Sequence, residues 1–99
     1  MVGTDASDGL VDLTNGFVRA ARDLDETESD HNRDVAYADQ QQNRLTEALR
    51  PNSGSDAYGA AQQWAIAAAK RMDSAAKLAE ARKAFENASD ALVRFYSER

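Results

Sequence analysis

A twelve-residue acidic segment, DLDETESDHNRD, is the first stretch of the chain whose side chains could bind a metal ion. Aligned with a helix-loop-helix calcium site, it has Asp23, Asp25 and Thr27 at ligand positions one, three and five. Position six requires glycine and position twelve a bidentate glutamate, but the chain has Glu28 and Asp34 there. We therefore expect a solvated acidic junction between two helices and no calcium site.

The same segment contains one Glu-x-x-His pattern, formed by Glu28 and His31. On a helix this spacing puts a carboxylate and an imidazole on one face, as in di-iron four-helix bundles. Such a centre needs the pattern twice, and the chain has one histidine, so only a symmetric dimer could complete it. We expect His31 to be an exposed residue at a helix start and predict neither metal nor cofactor. The candidate ligands are Asp23, Asp25, Glu28, His31 and Asp34.

The sequence contains no arrangement from which a catalytic site can be built. The single histidine lies in a polar segment, without apolar neighbours that could wall a substrate pocket. Cysteine is absent, which removes thiolate nucleophiles, thiolate ligands and disulfides. We therefore expect a protein that is not an enzyme.

Length and charge restrict the classes of partner. Ninety-nine residues correspond to one domain, residues 1–99, with a single core. The net charge of −5 argues against nucleic acid, whose phosphates require a clustered basic surface. No apolar run approaches the roughly 18 residues of a membrane span, so we expect no membrane insertion.

Helical spacing predicts an all-α fold. The first half shows apolar residues at three- and four-residue steps on either side of the acidic segment, and the loop PNSGSD ends that half. In the second half one predicted helix turns Tyr58 and Met72 toward the core, and we favour a break near Asp73 before a last helix. That helix carries a core seam of Leu78, Phe85, Leu92 and Phe95. The predicted architecture is a small up-and-down bundle of three to four helices.

Two aromatic residues outside that seam are candidates for an interaction surface. An Ala-rich core buries little area in a chain of this length, and small bundles in that situation often gain stability by pairing. We expect Tyr96 and the neighbours of Trp64 to contact another protein or a second copy of the chain, which would form a homodimer. The acidic segment would add charge selection at one end of the bundle.

The stretch AAKLAEARKAFENASDALVRFY resembles a helical domain found in or beside the periplasmic adaptor subunits of copper/silver-type heavy-metal efflux pumps. Leu78, Arg82, Phe85, Ser89 and Leu92 match the terminal helices of that family in register, and FVRAARDL resembles its first helix. The resemblance implies a periplasmic helical bundle with an accessory docking role in metal export. It carries over no metal ligand, because the chain has no cysteine.

Two other functions are open from the sequence. Length and helicity suit a small secretion substrate or partner protein of the type VII kind, although Trp64 is followed by Ala65 and Ile66 where that family has Trp-x-Gly in a mid-chain turn. The acidic segment could instead belong to a metal- or ion-binding protein.

Overall fold

A computed structural model shows two long α-helices joined by one turn. It describes the backbone of residues 2–98 and the side chains of residues 9–98. Helix α1 spans Val2–Ala48 and helix α2 spans Ala57–Ser97. The prediction of an all-α protein is confirmed, but the predicted bundle of three to four helices is wrong. The chain is an extended helical hairpin, 90% helical.

The acidic segment does not interrupt α1, contrary to the predicted junction. The residues of α1 that face α2 are spaced alternately by three and four residues, which is the repeat of a coiled coil. That spacing continues through the acidic segment because Thr27, His31 and Asp34 occupy the positions that apolar residues hold elsewhere. The half-buried or buried residues at these positions are Leu10, Leu13, Phe17, Ala20, Leu24, Thr27, His31, Asp34, Ala38, Gln41, Leu45 and Ala48.

Helix α2 is also continuous, so the predicted break near Asp73 is absent. Its inward residues follow the same alternating repeat, and they include the aromatic side chain of Trp64 and the charged side chain of Arg71. We call the two inward rows together the seam. The α2 members, all buried or half-buried, are Ala57, Ala60, Trp64, Ala67, Arg71, Ser74, Leu78, Ala81, Phe85, Ala88, Leu92 and Phe95.

The seam is narrow because small residues form its most buried part. Ala67 is completely covered and Ala38 is 2% exposed, whereas no large side chain among the described residues is fully buried. Near the open end, the rings of Phe17 and Phe85 meet edge to face with centroids 5.2 Å apart. Alanine allows the helices to approach closely, and edge-to-face ring pairs add about 0.5–1.5 kcal/mol.

The loop PNSGSD forms the turn, as the sequence predicts. The Ser53 hydroxyl donates to the Ala48 carbonyl oxygen at 3.0 Å, which satisfies one of the last carbonyls of α1. Asn52 and Gly54 adopt positive φ angles of 63° and 72°, which reverse the chain. Asp56 occupies the N-cap position of α2, but its side chain makes no capping hydrogen bond.

The hairpin measures 78 × 18 × 13 Å. In a bundle of shorter helices each element is covered from several sides, whereas here each helix covers only one side of the other. Most of the circumference of both helices therefore faces solvent. Within the described residues, neither helix has a stretch apolar enough to cross a membrane.

Candidate docking face

A polar layer lies midway along the seam. His31 Nδ1 and Ser74 Oγ are 2.8 Å apart, and Ser74 Oγ also donates to the Arg71 carbonyl oxygen at 3.1 Å. Since the hydroxyl has one hydrogen to give, we assign Ser74 as the acceptor from the Nδ1–H of His31. A polar layer of this kind fixes the register of two helices at a cost in stability.

The pairing of His31 with Ser74 is not arranged for catalysis. A nucleophilic serine must donate its proton to the histidine and must reach substrate. Here the serine hydroxyl donates to the backbone, and Ser74 is only 7% exposed within the seam. The interpretation of His31 as an exposed residue at a helix start is also wrong, because it is half-buried in the middle of α1.

The helical backbone separates the acidic candidates for metal binding. A calcium loop folds its ligands around one point, but successive residues of a helix point about 100° apart, so Asp23 and Asp25 diverge. Asp23, Asp25 and Glu28 are exposed, and Asp34 lies half-buried at the seam. Within the described residues, no three His, Asp or Glu side chains come close enough together to hold a metal ion.

The residues predicted to form the core seam lie on the inner side of α2. Leu78 is buried at 6% exposure, and Phe85, Leu92 and Phe95 are half-buried. The two predicted interaction residues are not brought together. Trp64 is half-buried in the seam, whereas Tyr96, whose ring meets that of Phe95, is 55% exposed and lies about 48 Å farther along α2.

One broad side of the hairpin is polar. It consists of the residues that directly precede seam residues, and we call it the polar face. Asp30 and Arg33 of α1 line one groove with Lys70, Asp73 and Lys77 of α2, which shows that these positions of both helices share a side. Arg33 and Asp30 approach to 3.9 Å, and both are largely exposed, so this ion pair adds little stability.

The opposite broad side consists of the residues that directly follow seam residues, and we call it the docking face. Among the residues whose side chains the structure describes, seven of the nine exposed large apolar side chains belong to it; the other two, Tyr37 and Ile66, lie on the polar face. Among its members, Tyr58 is 75% exposed and Met72 is 71% exposed. The exposed apolar residues of this face are Val11, Val18, Leu49, Tyr58, Met72, Val93 and Tyr96.

The docking face corrects one prediction from the sequence. Tyr58 and Met72 were expected to face the core. Instead, α2 turns Ala57, Ala60 and its other seam members inward, and the predicted row lies one residue to the side, toward solvent. Two parallel rows with the same spacing compete for the core here, and the row with Trp64 faces α1.

The sequence contains a pattern that predicts two continuous helices and that the sequence analysis did not use. Seam spacing alternates by three and four residues without interruption over both halves of the chain, and His31 and Ser74 lie in phase with it. The prediction of a helix junction in the acidic segment ignored that the polar residues there continue the spacing. Counting it through the polar segment would have predicted two long helices and the pairing of the polar layer.

The comparisons with known proteins assign the chain to no family. No protein-family model matches it, and no curated protein and no solved structure shows significant similarity to it. The resemblance to efflux-pump adaptors therefore has no support from these comparisons.

Proposed function

We propose that the protein is a non-enzymatic docking module whose working surface is the docking face. One observation carries the proposal: large apolar side chains are concentrated on that side of the hairpin, with Tyr58 and Met72 more than 70% exposed. Exposed apolar patches of this kind are typical of protein interaction sites. The alternating three- and four-residue spacing of the face favours a helical partner, which packs knobs into matching holes.

Substitution of one residue on each side of the hairpin tests this proposal. The purified protein serves as bait in a lysate of its source organism, beside the variants Met72→Glu and Ile66→Glu. Both residues are exposed apolar side chains of α2, but Met72 lies on the docking face and Ile66 on the polar face. We expect Ile66→Glu to retain the proteins that the unmodified bait captures and Met72→Glu to lose them. Equal capture by both variants would overturn the proposal.

A role as a small secretion substrate or partner of the type VII kind is a second candidate. The observation that favours it is the architecture: two long helices joined by one turn near the middle of a chain of about 100 residues. Against it, Trp64 lies within α2 and not in the turn. Comparing culture filtrates of hosts with and without an active type VII apparatus tests this candidate, because a substrate would appear outside the cell only in the first.

We leave metal export out of the proposal. Three of the five residues that resemble the efflux-associated family lie at positions that any coiled coil fills with apolar side chains. Leu78, Phe85 and Leu92 belong to the seam, and Arg82 and Ser89 directly follow seam residues. The repeat of the hairpin therefore accounts for these three seam positions of the match without a shared function.

A further inference from the structure

Building on the proposed function, we propose that the occupant of the docking face is a second copy of this chain, and that the two copies pair through α2. The pairing is antiparallel, about a two-fold axis that passes between Ala65 and Ala68. The experiments below separate this inference from the docking function itself.

The exposed surface of the chain is large enough to accommodate a second copy. The chain exposes 7419 Å², whereas a compact folded protein of its mass exposes about 5,500 Å². The excess, about 1,900 Å², is more than twice the roughly 800 Å² that each partner contributes to a stable interface of standard size. The hairpin therefore has enough uncovered surface for an extensive interface along one helix.

The distribution of charge selects α2 as the surface of contact. On the docking face, α1 carries Asp25, Glu28 and Asp39, so the α1 rows of two copies would repel each other. The α2 row contains no charged residue for 22 positions, or about 33 Å. Along this row, two chains that each carry a net charge of −5 can meet over a longer distance without a charged residue than along the α1 row. The members of the α2 row are Tyr58, Ala61, Ala65, Ala68, Met72, Ala75 and Ala79.

The same row is complementary to itself when one copy is reversed. Inside the hairpin the two helices run in opposite directions, and His31, four residues after the previous seam residue, pairs with Ser74, three residues after the previous seam residue. Antiparallel rows of this repeat therefore pair one kind of position with the other. Applied between copies, this rule places Tyr58 opposite Ala75 of the second copy, and Met72 opposite Ala61 of the second copy. Each large side chain meets an alanine, and the relation is reciprocal, as a two-fold axis requires.

Sedimentation equilibrium over a wide concentration range is the first test. We expect a reversible monomer–dimer equilibrium for the unmodified chain. Met72→Glu, which puts two buried carboxylates into the interface, should weaken association at least tenfold, whereas Ile66→Glu on the polar face should leave it unchanged. Circular dichroism of both variants shows whether the hairpin itself is intact. Monomers at every concentration, or equal weakening by both variants, would overturn the inference.

Single cysteines test the antiparallel register, since the natural chain has none. In Ala68→Cys the two thiols lie beside the two-fold axis, and a short bismaleimide should link the copies. In Ala79→Cys, a residue of the same row, the thiols lie about 37 Å apart along the paired helices and should not react with one another. Linkage of Ala79→Cys at the same rate would show a parallel dimer and overturn the proposed arrangement.

The two proposals fail in different ways. If the chain is monomeric but Met72→Glu loses a captured protein that Ile66→Glu retains, the second copy is excluded and the docking face binds a different protein. If the chain dimerises and both variants remain dimers, the copies pair through another surface and this inference is overturned, while the capture experiment still decides the docking function.

Discussion

His31 and Ser74, at the middle of the seam, fix the register of the two helices at a cost in stability. An apolar layer in place of His31 and Ser74 would bury more hydrocarbon, but alanines and leucines elsewhere in the seam tolerate a shift of one helix past the other. One hydrogen bond across the layer, 2.8 Å long, distinguishes the correct pairing from its neighbours along the repeat.

Removal of the serine hydroxyl should therefore destabilise the hairpin. In Ser74→Ala the Nδ1–H of half-buried His31 loses its acceptor, and we expect a loss of about 1–2 kcal/mol in unfolding free energy. Ser97→Ala is the matched control, because Ser97 makes the same hydrogen bond to a carbonyl three residues earlier but has no histidine partner. Urea denaturation measures both. In the double variant His31→Leu and Ser74→Ala the loss should be smaller than the sum of the single losses; strict additivity would contradict the pairing.

The contact between the rings of Phe17 and Phe85 provides a second residue-scale prediction. Phe85→Ala removes a half-buried ring that meets Phe17 edge to face, and we expect a loss of about 2–3 kcal/mol. Val93→Ala, on the docking face at 61% exposure, should change the unfolding free energy of the monomer by less than about 0.5 kcal/mol. Chemical denaturation at low protein concentration compares the two. Equal effects would contradict the assignment of the seam.

At the scale of the helices, the sequence predicts element type and the turn well but not element length. Pro51 and Gly54 mark the turn, and apolar spacing marks helix on both sides of it. The predicted break near Asp73 rested on the argument that half the chain could not cover so long a helix. That argument fails because α1 and α2 are similar in length, 47 and 41 residues, and their inward rows face each other from Leu10 to Ala48 and from Ala57 to Phe95.

The docking face could not be predicted from spacing alone. The row containing Tyr58 and Met72 and the row containing Trp64 have the same period, and either could pack inward. The choice depends on the whole of α1, whose seam must pair with one α2 row along its entire length. Such a preference depends on all residues of the helix together, so no short stretch of the sequence predicts which row packs inward.

Replacement of a glycine by alanine should stabilise the protein in a helix and destabilise it in the turn. Gly16 lies within α1, and a Cβ there would meet no atom within 4 Å, so Gly16→Ala should stabilise the hairpin by about 0.5–1 kcal/mol. Gly54 has a φ of 72° in the turn, so Gly54→Ala should destabilise it by about 1 kcal/mol. Thermal unfolding monitored by circular dichroism resolves both shifts. A loss of stability in Gly16→Ala would contradict a continuous α1.

The whole molecule is far more extended than its length suggests. The radius of gyration of the Cα atoms is 21.9 Å, whereas a compact chain of this length has a value of about 13 Å. Small-angle X-ray scattering at high dilution should therefore give a value near that of the hairpin for the monomer. A value near 13 Å would indicate that the chain folds back into a bundle of shorter helices.

The unbroken repeat of 3.5 residues determines which shape of partner can stay in contact with the hairpin along its whole length. An α-helix has 3.6 residues per turn, so a row repeating every 3.5 stays in contact only if the two helices wind around each other with a left-handed twist. With a pitch of about 150 Å, the roughly 60 Å of paired helix turns through about 140°. The docking face turns with it, because Tyr58, Met72 and their row share the repeat. A flat sheet or a straight rod touches such a surface over a turn or two, and only a helix wound with the same hand can remain on it from end to end.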